Sequence, residues 1–226
     1  MKLRVMILLA ALTACACAAG WGGLSVTEMM VNVNGLADSL NTINSQTLGG
    51  TQTIGFTSPF MIIGGQGGGE AGIFSLSVWG GGLFQRQQAD KLSASLGYAV
   101  GLAEPGINWK PVEFIELRPC LNLGGAVFNL ELREIWDAGM SEDTTIYRSS
   151  ITGWQANAGA AFALHVNVPV GERTMAGLMV KAGYLYPVYT RWKNQGNVID
   201  PISGFGIDGP YAGIGVNFST RPATHP

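Results

Sequence analysis

Three sets of residues in this chain have types that can do chemistry. They are the histidines His165 and His225, the cysteines Cys15, Cys17 and Cys120, and the charged group Glu116, Arg118, Glu131, Arg133 and Lys181. Nucleophilic catalysis needs a hydroxyl or thiol beside a base. His165 with Ser149 or Ser150 is the one conceivable set of that kind. One histidine within a strand pattern and one in the tail make neither a metal site nor a triad, and no Cys/His spacing suits a metal. Gly67-Gly68-Gly69 and Gly80-Gly81-Gly82 lack the lysine and helix that follow a phosphate loop. The expectation is a chain with no catalytic residues, no metal and no cofactor.

What the charged group does depends on the elements that hold it. Residues 112–136 alternate with period two, the period of a strand whose side chains point to opposite faces. Ile115, Leu117, Leu121 and Leu123 alternate with Glu116, Arg118, Cys120 and Asn122. After Gly124-Gly125 the phase inverts, with Phe128, Leu130 and Leu132 set against Asn129, Glu131 and Arg133. An inversion implies a tight Gly-Gly hairpin or a bulge in one long strand. The pattern recurs in Leu92, Ala94, Leu96, Tyr98, Val100 and Leu102 against Ser93, Ser95, Gly97, Ala99 and Gly101. It recurs again in Trp154 to Val168, where even positions are bulky or apolar and odd ones include Gln155, Asn157, His165 and Asn167.

Strands this long with apolar faces predict an antiparallel up-and-down transmembrane β-barrel. The bulky face, Leu96 included, is then expected to meet lipid and Ser95 to face the lumen. An Arg or Lys facing lipid at mid-depth costs about 2–4 kcal/mol. Glu116, Arg118, Glu131, Arg133 and Lys181 are therefore expected in the lumen, as a salt-bridge network or as a polar path. The interior of an eight-stranded barrel is just wide enough for side chains, which favours the network.

Composition agrees. Charged residues are 12% of the 226, against about 25% in soluble domains. The 33 glycines must serve close packing, bulges or turns, because glycine weakens strands entropically. A net charge of −2 suggests no nucleic-acid partner.

Residues 1–20 read as a signal peptide: Lys2 and Arg4 precede an apolar run from Val5 to Leu12 that is too short to span a bilayer. Leu12-Thr13-Ala14-Cys15 resembles a lipobox, which makes Cys15 a lipidation candidate; cleavage after Ala18-Ala19-Gly20 is the alternative. Cys120 stands alone, so no disulfide framework is expected. Residues 21–50 read as a linker and an amphipathic helix. Ser25 and Glu28 have capping-box spacing, and Met29, Val33, Leu36, Leu40 and Ile43 share a helical face. That helix is expected to pack on the barrel end, plug the lumen or bind a partner.

The barrel is assigned to 51–219 and a tail to 220–226. Strands are expected at 58–66, 71–85, 91–103, 112–136, 150–168, 175–189 and 204–218. An even count of eight requires a hairpin at Gly124-Gly125 or a further strand at 51–57. Residues 137–149 and 190–203 read as the longer loops, and Trp136, Trp154, Tyr189 and Trp192 as an aromatic girdle.

The last strand, Tyr211 to Phe218, resembles the assembly signal of outer-membrane proteins, with Tyr211, Gly213, Val216 and Phe218 in its places. Ser219 to Pro226 continue past the aromatic on which such barrels usually end. Pro119 to Gly125 also looks like a strand of small bacterial outer-membrane barrels of the OmpA/OmpX-like type. This resemblance implies a Gram-negative-type outer membrane, with its lipid and the barrel-assembly machinery as partners; any small-molecule ligand is unknown. The function expected is a non-enzymatic structural or surface-interaction barrel. The alternatives are a transporter or narrow pore for a small solute, and a secreted soluble β-sandwich.

Intact-mass analysis of the mature protein resolves the leader. The lipobox predicts a triacylated Cys15 at the N-terminus, and an unmodified end near Trp21 establishes ordinary signal cleavage.

Overall fold

A computed structural model describes residues 20–89, 92–134, 148–172, 174–194, 197–200 and 205–220. Cys15 and Trp136, most of the expected loop 137–149 and the tail beyond Thr220 lie outside them. The chain forms β1 (Trp21–Asn32), α1 (Asn34–Thr42), β2 (Phe60–Ala71), β3 (Phe74–Ala89), β4 (Leu92–Ile107) and β5 (Trp109–Val112). There follow β6 (Ile115–Glu134), β7 (Arg148–Pro169), β8 (Thr174–Asn194), β9 (Asn197–Ile199) and β10 (Gly206–Thr220). Eight long strands pair antiparallel in the order β10-β1-β2-β3-β4-β6-β7-β8, and β8 pairs back onto β10. The sheet closes into a barrel, which rules out a sandwich. The short β5 extends the β4–β6 hairpin, and β9 folds back on the end of β8.

The eighth strand comes from neither expected source. Segment 51–57 is not a strand, and β6 runs unbroken through Gly124-Gly125. Its ladder to β4 keeps one register from Leu92↔Glu134 to Gly106↔Cys120, so there is neither hairpin nor bulge. The missing strand is β1, where a helix from Ser25 was expected. Ser25, Thr27, Met29 and Val31 point inward, whereas Leu24, Val26, Glu28 and Met30 point outward. This period-two pattern coexists with the helical spacing. Ladders to both β10 and β2 decide between them. Ser25 caps nothing; its Oγ accepts a hydrogen bond from Trp79 Nε1 at 2.8 Å. The helix α1 starts only after Val33 and has no side-chain cap.

Faces follow from alternation. Leu24, Val216, Leu178 and Val166 sit in successive register on β1, β10, β8 and β7, and all are exposed on the outer wall. On β7 the expected assignment holds: Trp154, Phe162, Val166 and Val168 face out, and Gln155, Asn157 and His165 face in. On β4 the assignment is the reverse of that expected. Leu92, Ala94, Leu96, Tyr98, Val100 and Leu102 fill the lumen, with Leu96 0% exposed, and the small residues Ala99 and Gly101 face out.

The phase inversion in β6 has the same cause. Even positions point inward throughout, so Glu116, Arg118, Cys120 and Asn122 share a face with Phe128, Leu130 and Leu132. The strand does not turn over; the lumen changes from polar to apolar along it. The one real bulge among the long β6–β8 ladders is in β8, where Ala156↔Tyr189 gives way to Asn157↔Pro187. Proline fits there because a bulge leaves a donor position unpaired. The extra residue changes parity and turns Trp192 inward, where Gly153 leaves room for its ring. Trp192 is thus core and not girdle, whereas Trp154 and Tyr189 are exposed outside. The expected loop 190–203 is also shorter, since β8 runs to Asn194 and β9 folds back on it.

Both ends of the described chain, the turn 72–73, the connection 108–114, and the end of β7 with the start of β8 lie at one end of the barrel. Gly72, with φ +63°, makes the first of these turns, a conformation few side chains accept. The segment 33–59, the end of β3 with the start of β4, the end of β6 with the start of β7, and the end of β8 with the start of β10 lie at the other end, called the mouth below.

Cysteine reactivity tests the reversed face. In the folded protein Ser95→Cys reacts with a thiol reagent applied from outside and Leu96→Cys does not. The opposite pattern contradicts the face assignment.

Candidate functional site

The lumen is filled, and its two halves differ in chemistry. Toward the mouth, one apolar cluster joins Met29, Val31, Phe60, Ile62, Leu96, Tyr98, Phe128, Leu130, Trp192 and Phe205. Its rings lie in sequence: Phe60 to Tyr98 at 5.9 Å, Tyr98 to Phe128 at 4.9 Å, and Phe128 to Phe205 at 4.9 Å. Such spacings suit edge-to-face and tilted aromatic pairs.

The β1–β2 excursion caps this cluster. Leu36 and Leu40, one helical turn apart on α1, and Ile54 and Phe56 belong to the same apolar body. Two asparagines hold the excursion together. Asn41 Oδ1 accepts from Ile54 N at 2.6 Å, and Asn44 Nδ2 donates to Gln52 O at 2.8 Å. Leu36 and Leu40, two of the residues expected on an amphipathic helix face, therefore serve a plug.

Below the apolar half lies a buried ion pair. Lys181 Nζ is 2.6 Å from Glu104 Oε1, and Lys181 is 1% exposed. Ser77 Oγ donates to Glu104 Oε2 at 3.1 Å. The rings of Trp79 and Tyr211 flank the ammonium at 5.3 and 5.8 Å, within cation–π range. The Tyr211 hydroxyl accepts from Asn122 Nδ2 at 2.7 Å, across the lumen from β6 to β10.

Toward the termini is a second network. Arg118 bonds to Glu116, reaches Glu70 Oε1 at 3.5 Å and donates from Nε to Asn108 Oδ1 at 2.8 Å. Its guanidinium lies 4.9 Å over the Trp21 ring, which meets His165 edge-on at 5.4 Å. Lys110 closes the network at 2.6 Å from Glu70 and 3.9 Å from Glu116. Across both networks three cations face three carboxylates.

Of the five charged residues expected in the lumen, Glu116, Arg118 and Lys181 are buried inside the barrel, and Glu131 and Arg133 are not. Those two form their own pair at 3.3 Å on the outer wall beside the mouth, because odd positions of β6 point outward along its whole length. Glu104, Glu70 and Lys110 were missed. Glu104 was legible in principle, since it continues the even phase of Leu96 to Leu102 past the segment's assumed end at 103. Glu70 and Lys110 sit at turn ends and became partners only through closure. His165 and the serines do not meet. His165 pairs with Glu116 and Ser149 with Leu132, sixteen residues along one strand, or about 50 Å at the usual rise. Tyr211 and Gly213 of the expected assembly signal face the lumen, and Val216 and Phe218 face outward.

No family model matches the chain, and no curated protein matches it. The solved structures that align with 89% of it include the following three. Ail, the attachment invasion locus protein of Yersinia pestis, is 9% identical, with 98% of its chain covered and a TM-score of 0.38. CarO of Acinetobacter baumannii is 10% identical, with 97% covered and a TM-score of 0.36. The outer membrane protein OprG of Pseudomonas aeruginosa is 11% identical, with 93% covered and a TM-score of 0.32. The barrel assignment rests on the chain's own ladders and closure.

Removing one partner of a buried ion pair strands the other charge, at a cost of about 3–5 kcal/mol. Lys181→Met is expected to lower stability by that amount in urea unfolding from detergent, and Glu104→Leu to do likewise. The double variant is expected to recover most of the loss. Additive losses would show that the two charges are not coupled.

Proposed function

We propose that this chain is an outer-membrane barrel with a closed lumen, a non-enzymatic anchor that holds its mouth segments at the cell surface. The plug carries the reading. A solute path would have to cross Leu36, Leu40, Phe56, Phe128 and Trp192, which leave the mouth half of the lumen apolar and occupied. The charges nearer the termini are mutually neutralised, as expected of a filler that seals and stiffens a wall. These features support the structural or surface-interaction role over the transporter.

The outer-membrane reading draws support from the exposed apolar wall, including Leu24, Ile63, Leu121, Leu123, Leu178, Val180, Ile214 and Phe218. Leu or Val side chains around a closed wall suit lipid and not water. Export by the 1–20 leader, and assembly guided by Tyr211, Gly213, Val216 and Phe218, belong to the same proposal. In β10 the apolar members Val216 and Phe218 point outward, as a lipid-facing wall requires.

Two measurements test it. The folded protein is expected to need detergent and to migrate differently on a gel when unboiled; a soluble monomer without detergent would overturn the membrane reading. In planar bilayers the intact protein is expected to give no discrete current steps, and regular steps would restore the pore.

A further inference from the structure

Charge on the outer wall beside the mouth is unevenly distributed around the barrel. On β3, Arg86 is exposed two residues beyond the exposed Phe84. On β6, the Arg133 side chain is 46% exposed. On β8, Arg191 and Lys193 flank the inward Trp192 and so point outward, just past the exposed Tyr189. Among the described residues, Glu131 is paired with Arg133 on this face, and Asp200 is exposed where β9 ends beside β8. The intervening outward positions are small and polar: Ser93, Ser95, Asn129, Ser150 and Thr152. Arg86 Nε donates to Ser93 Oγ at 3.2 Å, so the patch extends across strands. On the other arc, β10, β1 and β2 hold no lysine or arginine, and the exposed Glu28 and Asp208 stand there.

We infer that the arc of Arg86, Arg133, Arg191 and Lys193 binds the phosphate groups of lipid headgroups in the leaflet around the mouth. The inference rests on the membrane reading above. Three features select the occupant. The cations point sideways from the wall, into the plane of the membrane, and not up from the mouth toward a soluble partner. On β3 and β8 they begin just past the exposed Phe84 and Tyr189, with the exposed Val198 of β9 beside Lys193, and this boundary is the depth of headgroups. Trp154, in register with Arg191, and Tyr189 lie at that boundary, where amphipathic rings sit. Arginine's fork also matches phosphate oxygens two at a time. The arc spans β3 to β8, five strands about 4.8 Å apart, which is wide enough for more than one headgroup.

The test uses the full chain in mixed micelles of neutral detergent and a bisphosphorylated glycolipid, with retained lipid counted by native mass spectrometry. The intact protein is expected to keep the phosphorylated lipid in preference to phosphatidylcholine. The variants R86Q/R133Q and R191Q/K193Q are each expected to reduce that retention about ten-fold or more, from roughly 1 kcal/mol per cation at an anionic surface. E28Q/D208N, on the opposite arc, is expected to retain as much as the intact protein. Inorganic phosphate is not expected to displace the lipid; if it does, the site recognises the free anion and the proposal fails. Equal retention by either cation variant and the intact protein also overturns it. Each variant is checked for the unboiled gel shift, so each count refers to a folded barrel. A chain that needs no detergent refutes the membrane reading, whereas one that needs it but shows no lipid preference refutes this inference alone.

Discussion

A sheet edge leaves a row of backbone donors and acceptors unpaired, and a barrel removes that row only by closing on itself. Here that constraint is met at one seam. β1 pairs with β10 from Trp21↔Ser219 to Asn32↔Gly206 and with β2 from Trp21↔Gly68 to Met29↔Phe60. Without β1 seven strands would remain, with open edges on β2 and β10. The requirement is strong enough to outweigh a local capping-box signal and to extend a segment with helical periodicity. Closure also fixes the parity of every strand, and parity decides which side chains share the lumen.

A closed eight-stranded wall has an interior that side chains must fill. This chain uses two fillings. Near the mouth it uses aromatic and aliphatic residues with a plug from 33–59, so the interior resembles the core of a soluble protein. Near the termini it uses neutralised charge, with Lys181–Glu104 at the boundary and Arg118, Lys110, Glu70 and Glu116 beyond. The division explains why one strand can carry Arg118 and Phe128 on a single face. It also gives the two ends different properties: apolar and occluded at the mouth, ionic and partly exposed at Lys110 near the termini.

The barrel class was legible because alternation is a local property. Which face of each strand forms the outer wall was not. The rule that bulky apolar residues face outward held on β7, where the opposite face carries Gln155, Asn157 and His165. It failed on β4, where neither face of 92–102 is charged and the lumen itself is apolar, so Leu96 and Tyr98 went inward. The same ambiguity placed Glu131 and Arg133 in the lumen and made Gly124-Gly125 look like a break. Strand number failed for a different reason. Ser25 to Met29 fits a strand or a helix equally well in isolation, and only β10, nearly two hundred residues away, resolves it. Lys181 and Arg118 were legible as lumenal cations, but their partners Glu104 and Glu70 come from other strands and needed the closed topology.

The most direct measurement of this account is a cross-link across the seam. Val26 and Ile214 are register partners on β1 and β10, at a separation that suits a disulfide between opposed strands. In an otherwise cysteine-free chain, Val26→Cys with Ile214→Cys is predicted to oxidise to one intramolecular species that keeps the unboiled gel shift. Val26→Cys with Ala212→Cys, out of register, is predicted to oxidise poorly. Absence of the first cross-link in a protein that still shows the gel shift would contradict closure by β1, and with it the parity that assigns every lumenal residue.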